Sequence, residues 1–238
     1  MRSVCIIQAR MGSRRFPGKV LQDLCGRPVL AHVVERCQAI PGIDQVVLTI
    51  PRGVEDDPLE RWATAHGIMA YRNQVPLHGT EANDCLRAYA ETSEATHAEV
   101  VVRVTGDEPL LCPVIAGLVL APMLAGHQSI VSNVHPRRTY PDGLDIEAID
   151  AAYLRNMYEW SQEYPSLGDR EHATQCMQRH WGAATWNISQ GEDLSAVRWT
   201  VDVLADLEKL RRIVAHLPAG AFTLADTRKA AEEAGCWP

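Results

Sequence analysis

Apolar residues follow two rhythms along this chain. Short Val- and Ile-rich runs with little polar interruption mark buried strands at 3–9 (SVCIIQA), 45–50 (QVVLTI), 99–105 (EVVVRVT) and 129–133 (SIVSN). Between them, apolar positions recur at helical spacing over 28–39, 56–67, 81–95 and 113–125. Pro28 stands in the first turn of the first helix, and the second opens on acidic residues and closes on Gly67. A short strand, IMAY at 68–71, follows it. Strand–helix alternation of this kind predicts an α/β fold: a mainly parallel, Rossmann-like sheet with helices on both faces. Ligands of such sheets gather beyond the carboxyl ends of the strands.

The rhythm changes after 134. HPRRTYPDGLD reads as a loop, and the segment from 146 to 160 begins as a strand and becomes a helix. A helix at 169–180, a strand at 183–188, a last short strand at 197–202 (VRWTVD) and helices at 203–216 and 222–236 complete the chain. With no internal repeat or low-complexity linker, residues 1–238 read as one domain with an excursion at about 134–190.

Composition narrows the function classes. No apolar run reaches the roughly 20 residues of a membrane span, so no membrane partner is expected. The seven cysteines are scattered and form no Cys-x-x-Cys, which points to a reducing cytoplasm and no structural zinc. A net charge of -7 argues against coating nucleic acid. Against that acidity, QARMGSRRFPGKVL, residues 8–21, gathers Arg10, Arg14, Arg15 and Lys19 on a glycine-containing loop directly after the first strand. Such a loop can turn main-chain N–H groups, guanidinium forks and an ammonium toward one polyanion. It is not a nucleotide-triphosphatase P-loop: five residues separate Gly12 from Gly18, and Val20 stands where Ser or Thr would hold magnesium.

A bound triphosphate brings magnesium, which takes oxygen ligands from one or two carboxylates, water and phosphate. Asp107, in VVRVTGDEPLL, and Asp202, in VRWTVD, each follow a predicted strand on the side of the basic loop. Either is also suited to cap a helix.

ARMGSRRFPGKVL resembles the signature of the sugar-activating cytidylyltransferases, among them those acting on ketodeoxyoctulosonate and acylneuraminate. It is most similar to the spore-coat polysaccharide branch, roughly A-R-M-G-S-T-R-L-P-G-K-V-L. The resemblance covers most of 4–215 and implies a GT-A-like nucleotidyltransferase fold and a magnesium-dependent transfer of CMP from CTP to a small acceptor. Ala9, Arg10, Met11, Gly12, Ser13, Arg15 and Lys19 would then cradle the nucleotide, with Asp84, Arg103 and Asp107. Arg10, Arg15, Lys19, Asp107 and Asp202 would be catalytic, and Asp107 and Asp202 would hold Mg2+. A homodimer is a further implication.

Two departures accompany the likeness. In NDCLRAY, 83–89, Ala88 replaces the branch's Arg and Arg87 comes one position early, a turn of about 100° on a helix. Cys112 stands where the branch often has Asp. YPDGLDIE, 140–147, and DREHAT, 169–174, also resemble the branch, which makes Asp142, Asp145, Glu147, Arg170 and His172 acceptor-binding candidates. The acceptor expected first is an acidic sugar. A phosphonate or phosphorylated acceptor, or a degenerate nucleotide-binding module without turnover, are the alternatives.

Overall fold

The computed structural model describes residues 1–75, 84–126, 128–163, 173–181 and 185–238. In chain order the elements are β1 (Ser3–Gln8), β2 (Asp23–Leu24), β3 (Arg27–Pro28), α1 (Val29–Gln38), β4 (Gln45–Pro51), α2 (Asp57–Ala65), β5 (Met69–Asn73), α3 (Cys85–Ala95) and β6 (Val100–Thr105). They continue with α4 (Pro113–Leu124), β7 (Ile130–Ser132), β8 (Glu147–Asp150), α5 (Ala151–Ser161), α6 (Ala173–Trp181), β9 (Thr185–Asn187), α7 (Leu204–Val214) and α8 (Leu224–Glu233). Seven strands form one sheet in the order β5-β4-β1-β6-β8-β7-β9. Among the described strands of this sheet only β8 runs antiparallel, to both β6 and β7. The fold is therefore mixed α/β with a mainly parallel sheet covered by helices.

The period of the pleat sorts β1 into two cores. Cys5 and Ile7 face a cluster built with α1, α2 and α4, whereas Val4 and Ile6 face one built with α3, α5 and α6. Burial on both faces explains the uninterrupted apolar runs in the sequence. A third core packs α7 and α8 around Trp199 and buries Val197, Trp199 and Val201 of the 197–202 segment.

That segment is not the strand its sequence predicts. Its pairing is a single parallel bridge between Arg198 and Asp142. Trp199 N–H donates to Asp142 O at 2.7 Å and Asp142 N–H to Val197 O at 2.9 Å. Its other partners are scattered, with Val201 N–H reaching Asp107 O at 3.0 Å. The segment is thus pinned between the YPDGLD loop and the end of β6. The small β2–β3 pair goes unread in the sequence because two-residue strands carry no periodic signal.

Candidate active site

The basic loop leaves β1 and folds back at once. Met11 O accepts both Ser13 N–H at 3.0 Å and Gly18 N–H at 2.9 Å. Gly18 closes the turn at φ 69°, the left-handed region in which glycine carries no Cβ penalty. A carboxylate fixes the loop from outside: Asp56 Oδ1 accepts Met11 N–H at 2.6 Å. Asp56 is fully buried, and burial pushes its carboxyl above the usual range against the pull of that N–H, Arg72 and Arg10. In the sequence Asp56 is an ordinary acidic helix start, and its distance of 45 residues from the loop hides the contact.

A cleft of about 510 Å3 opens beside this loop at the carboxyl ends of β1 and β6. Ala9, Arg10, Ser13, Arg14, Arg15 and Lys19 line it. Arg103, Asp107 and Asp202 line it too. Met11 and Gly12 shape the turn without lining the cleft. Asp84 instead caps α3, accepting Arg87 N–H at 3.0 Å. Neither departure of the α3 segment supplies a cation here. Ala88 is buried in the core, and Arg87 pairs with Glu91 at 2.8 Å. Cys112 packs in the third core.

Lys19 joins the predicted carboxylates. Its Nζ donates to Asp107 Oδ2 and, at 2.9 Å, to Asp202 Oδ1. Carboxylates 95 positions apart in the chain therefore converge on one cationic point. Asp206, in the first turn of α7, accepts the N–H groups of Asp202 at 2.9 Å and Val203 at 3.0 Å, which fixes the backbone that carries Asp202. Two carboxylates that converge on one point suit a hard divalent ion that takes its remaining ligands from water and phosphate. On that donor set, Asp107 and Asp202 fit Mg2+. Among the described residues no group of three or more His, Cys, Asp or Glu is arranged for a metal.

A second cleft, also about 510 Å3, adjoins the first and shares Arg103, Thr105 and Asp107 with it. Asp142, Asp145 and Glu147 line it together. Each is matched by an arginine. Glu147 pairs with Arg103 at 2.9 Å and accepts the Thr174 hydroxyl. Asp145 is gripped by both terminal nitrogens of Arg138. Asp142 lies 3.4 Å from Arg198 and 3.7 Å from Arg138. Burial, then Asp145, raises the Asp142 pKa. Arg170 and His172 lie outside the described residues.

Glu108 forms part of the wall of this second cleft. Thr105 Oγ1 is 2.6 Å from Asp107 Oδ1 and 2.8 Å from Glu108 Oε1. One hydroxyl carries one proton and cannot donate to both carboxylates. A protonated Glu108 resolves the conflict by donating to Thr105, which then donates to Asp107. Burial pushes the Glu108 carboxyl well above the usual range, and Asp145 and Asp107 add to it. Arg138 lies in the same loop as Asp142 and Asp145, within reach of a local reading, whereas Arg198 joins them only through the fold-level meeting of two loops.

Residues 4–147, the stretch that supplies the basic loop, Asp107 and the acids of the second cleft, match the sequence profile of the cytidylyltransferases. The chain belongs to the cytidylyltransferase family. A 3-deoxy-manno-octulosonate cytidylyltransferase of Anaeromyxobacter dehalogenans is 41% identical over 121 residues, which are 51% of this chain and 47% of that protein. The aligned part of the chain thus spans about half the length of this curated relative. A cytidylyltransferase structure from Leptospira borgpetersenii serovar Hardjo-bovis superposes with a TM-score of 0.84 at 24% identity, over 98% of this chain and 94% of that one. A CMP:2-keto-3-deoxy-manno-octonic acid synthetase complexed with CTP superposes with a TM-score of 0.68 at 22% identity, over 90% and 99%. These two likenesses establish the cytidylyltransferase fold over nearly the whole chain.

Proposed function

We infer that this chain transfers CMP from CTP to a hydroxyl of an acidic sugar, with release of pyrophosphate. The observation that carries the reading is the junction of two clefts at Asp107. The cationic cleft suits a triphosphate, the mixed-charge cleft suits a polyhydroxylated acid, and the reacting phosphorus belongs where they meet. The curated relative acting on 3-deoxy-manno-octulosonate supports the acceptor class.

In this reading Arg10, Arg14 and Arg15 hold the β- and γ-phosphates with Ser13, and Lys19 follows the charge that develops on the leaving pyrophosphate. The acceptor oxygen attacks the α-phosphorus in line, the bond to the β-phosphate bridge breaks, and the hydroxyl proton leaves to water. Asp107 and Asp202 would hold the magnesium ion, which when bound neutralises charge on the α-phosphate. Arginines 103 and 138 offer the acceptor's carboxylate a cationic wall, while Asp142 and Glu147 accept from its hydroxyl groups. Positioning and charge complementarity thus supply most of the rate.

The test is pyrophosphate release from CTP with magnesium over a panel of 2-keto acid sugars, neutral sugars and phosphonates. Release with an acid sugar, lost in Asp107→Asn, is the expected result. Release with a phosphonate alone would replace the acceptor class. CTP binding without release across the whole panel would point to a binding module.

A further inference from the structure

All four oxygens of the Asp107–Asp202 pair already have partners. Asp107 Oδ1 accepts the Thr105 hydroxyl and Oδ2 meets Lys19. Asp202 Oδ1 lies 2.9 Å from both Lys19 Nζ and Arg15 Nη2, and Oδ2 pairs with Arg198. Three cations therefore face two carboxylates, and the group carries a formal charge of +1. A divalent cation approaching this point meets positive charge and no carboxylate oxygen without a partner.

We propose that the chain's own cations keep a divalent metal off Asp107 and Asp202 until a triphosphate draws them away, so that metal and nucleotide bind cooperatively. The proposal rests on the reading of these two aspartates as the metal pair. A triphosphate changes the balance because Lys19 and Arg15 line the same cleft as Arg10, Ser13 and Arg14. Its oxygens compete for Lys19 and Arg15, free the carboxylates, and complete a coordination shell that two side chains cannot fill alone.

Arg198 is a different kind of cation. It lies outside the basic loop and has somewhere else to go, with Asp142 Oδ2 at 3.4 Å and Thr200 Oγ1 at 2.7 Å. On leaving Asp202 it stays on the acceptor side. It is a positioning residue that latches Asp202 in the free protein and turns toward Asp142 when the metal arrives. By linkage, the metal must tighten CTP by the same factor as CTP tightens the metal.

Mn2+ is the probe, followed by electron paramagnetic resonance and water-proton relaxation, with binary Mn–CTP subtracted. Wild type should bind Mn2+ weakly alone and tighter with saturating CTP, by roughly 5- to 150-fold, the range of ordinary coupling between sites. Lys19→Met and Arg198→Gln, checked for folding by circular dichroism, should each tighten Mn2+ binding without nucleotide. Wild type binding Mn2+ equally well with and without CTP overturns the proposal, as does unchanged metal-only affinity in both variants. Asp107→Asn separates the two levels. If it loses Mn2+ in the presence of CTP while wild type shows no coupling, only the cationic barrier is wrong. If it binds Mn2+ and CTP as wild type does, the metal pair is wrong and the barrier falls with it.

Discussion

Lys19 touches both aspartates at once, so its loss unbalances the centre in a definite direction. Lys19→Ala leaves Asp107 and Asp202 facing each other and removes a cation that a triphosphate would meet. Wild type at about 100 times the dissociation constant of magnesium–CTP should gain roughly 2.7 kcal/mol, read as a thermal shift of a few degrees at this size. The variant should show no shift; an equal shift would remove Lys19 from the nucleotide site. Asp56 acts at one remove, through Met11 N–H. Asp56→Ala should cost about 1–3 kcal/mol by leaving that donor unpaired, while Asp56→Asn keeps an acceptor oxygen. The pH dependence has a fixed sign. The folded pKa is raised by burial, so above the ordinary value of about 3.9 the native state holds this proton more tightly than the unfolded chain. Stability from this group is therefore lost as pH rises from about 4 through the raised pKa. Urea melts across that window should show a shallower slope in Asp56→Asn; an unchanged slope would deny the burial cost.

At the level of elements, the site depends on a strandless segment being held in place. Gly143 has φ 106°, and a Cβ there would lie 2.8 Å from the backbone carbon of Trp199. Gly143→Ala should cost at least about 1–3 kcal/mol in backbone strain and push the YPDGLD loop away from 197–202. Pyrophosphate release should fall while CTP still gives a thermal shift, because the phosphate loop is untouched. Gly191, where a Cβ meets nothing within 4 Å, supplies the control, and Gly191→Ala should stay within about 0.5 kcal/mol. Equal effects of the two substitutions would show that the close approach does not matter.

Across the whole molecule, the third core links the far end of the chain to the site. Arg36 of α1 donates to Leu111 O at 2.7 Å and to Phe222 O at 2.6 Å, and its guanidinium lies 3.6 Å above the Phe222 ring. One buried cation thus ties α1, the start of α4 and the lead into α8. Arg36→Met keeps the volume but leaves two carbonyls unpaired. A loss of about 2–3 kcal/mol is expected, which lowers the melting midpoint by roughly 4–12 °C. Nucleotide affinity well below the transition should not change. A midpoint within a degree of wild type would show that α8 is held by apolar packing alone.

Local chemistry was enough to make most of the elements legible. Val- and Ile-rich runs bury on both faces of β1, β4 and β6, and helical spacing marks α1 to α4, because burial rewards those periods wherever the chain lies. The Arg10–Lys19 loop stands out because a concentrated charge directly after a buried strand has few uses, whereas the acids of YPDGLD were pointed to by the family resemblance. What only the tertiary structure decided is who meets whom. Asp202 sits on no strand, yet it reaches Lys19 because Gly143 lets two loops touch. Asp56 holds Met11 from the turn after the neighbouring strand β4, and Arg198 reaches Asp142 from a segment distant in the chain. Such contacts leave no periodic trace, since their free energy comes from long-range closure, which the fold supplies and a local window of sequence does not.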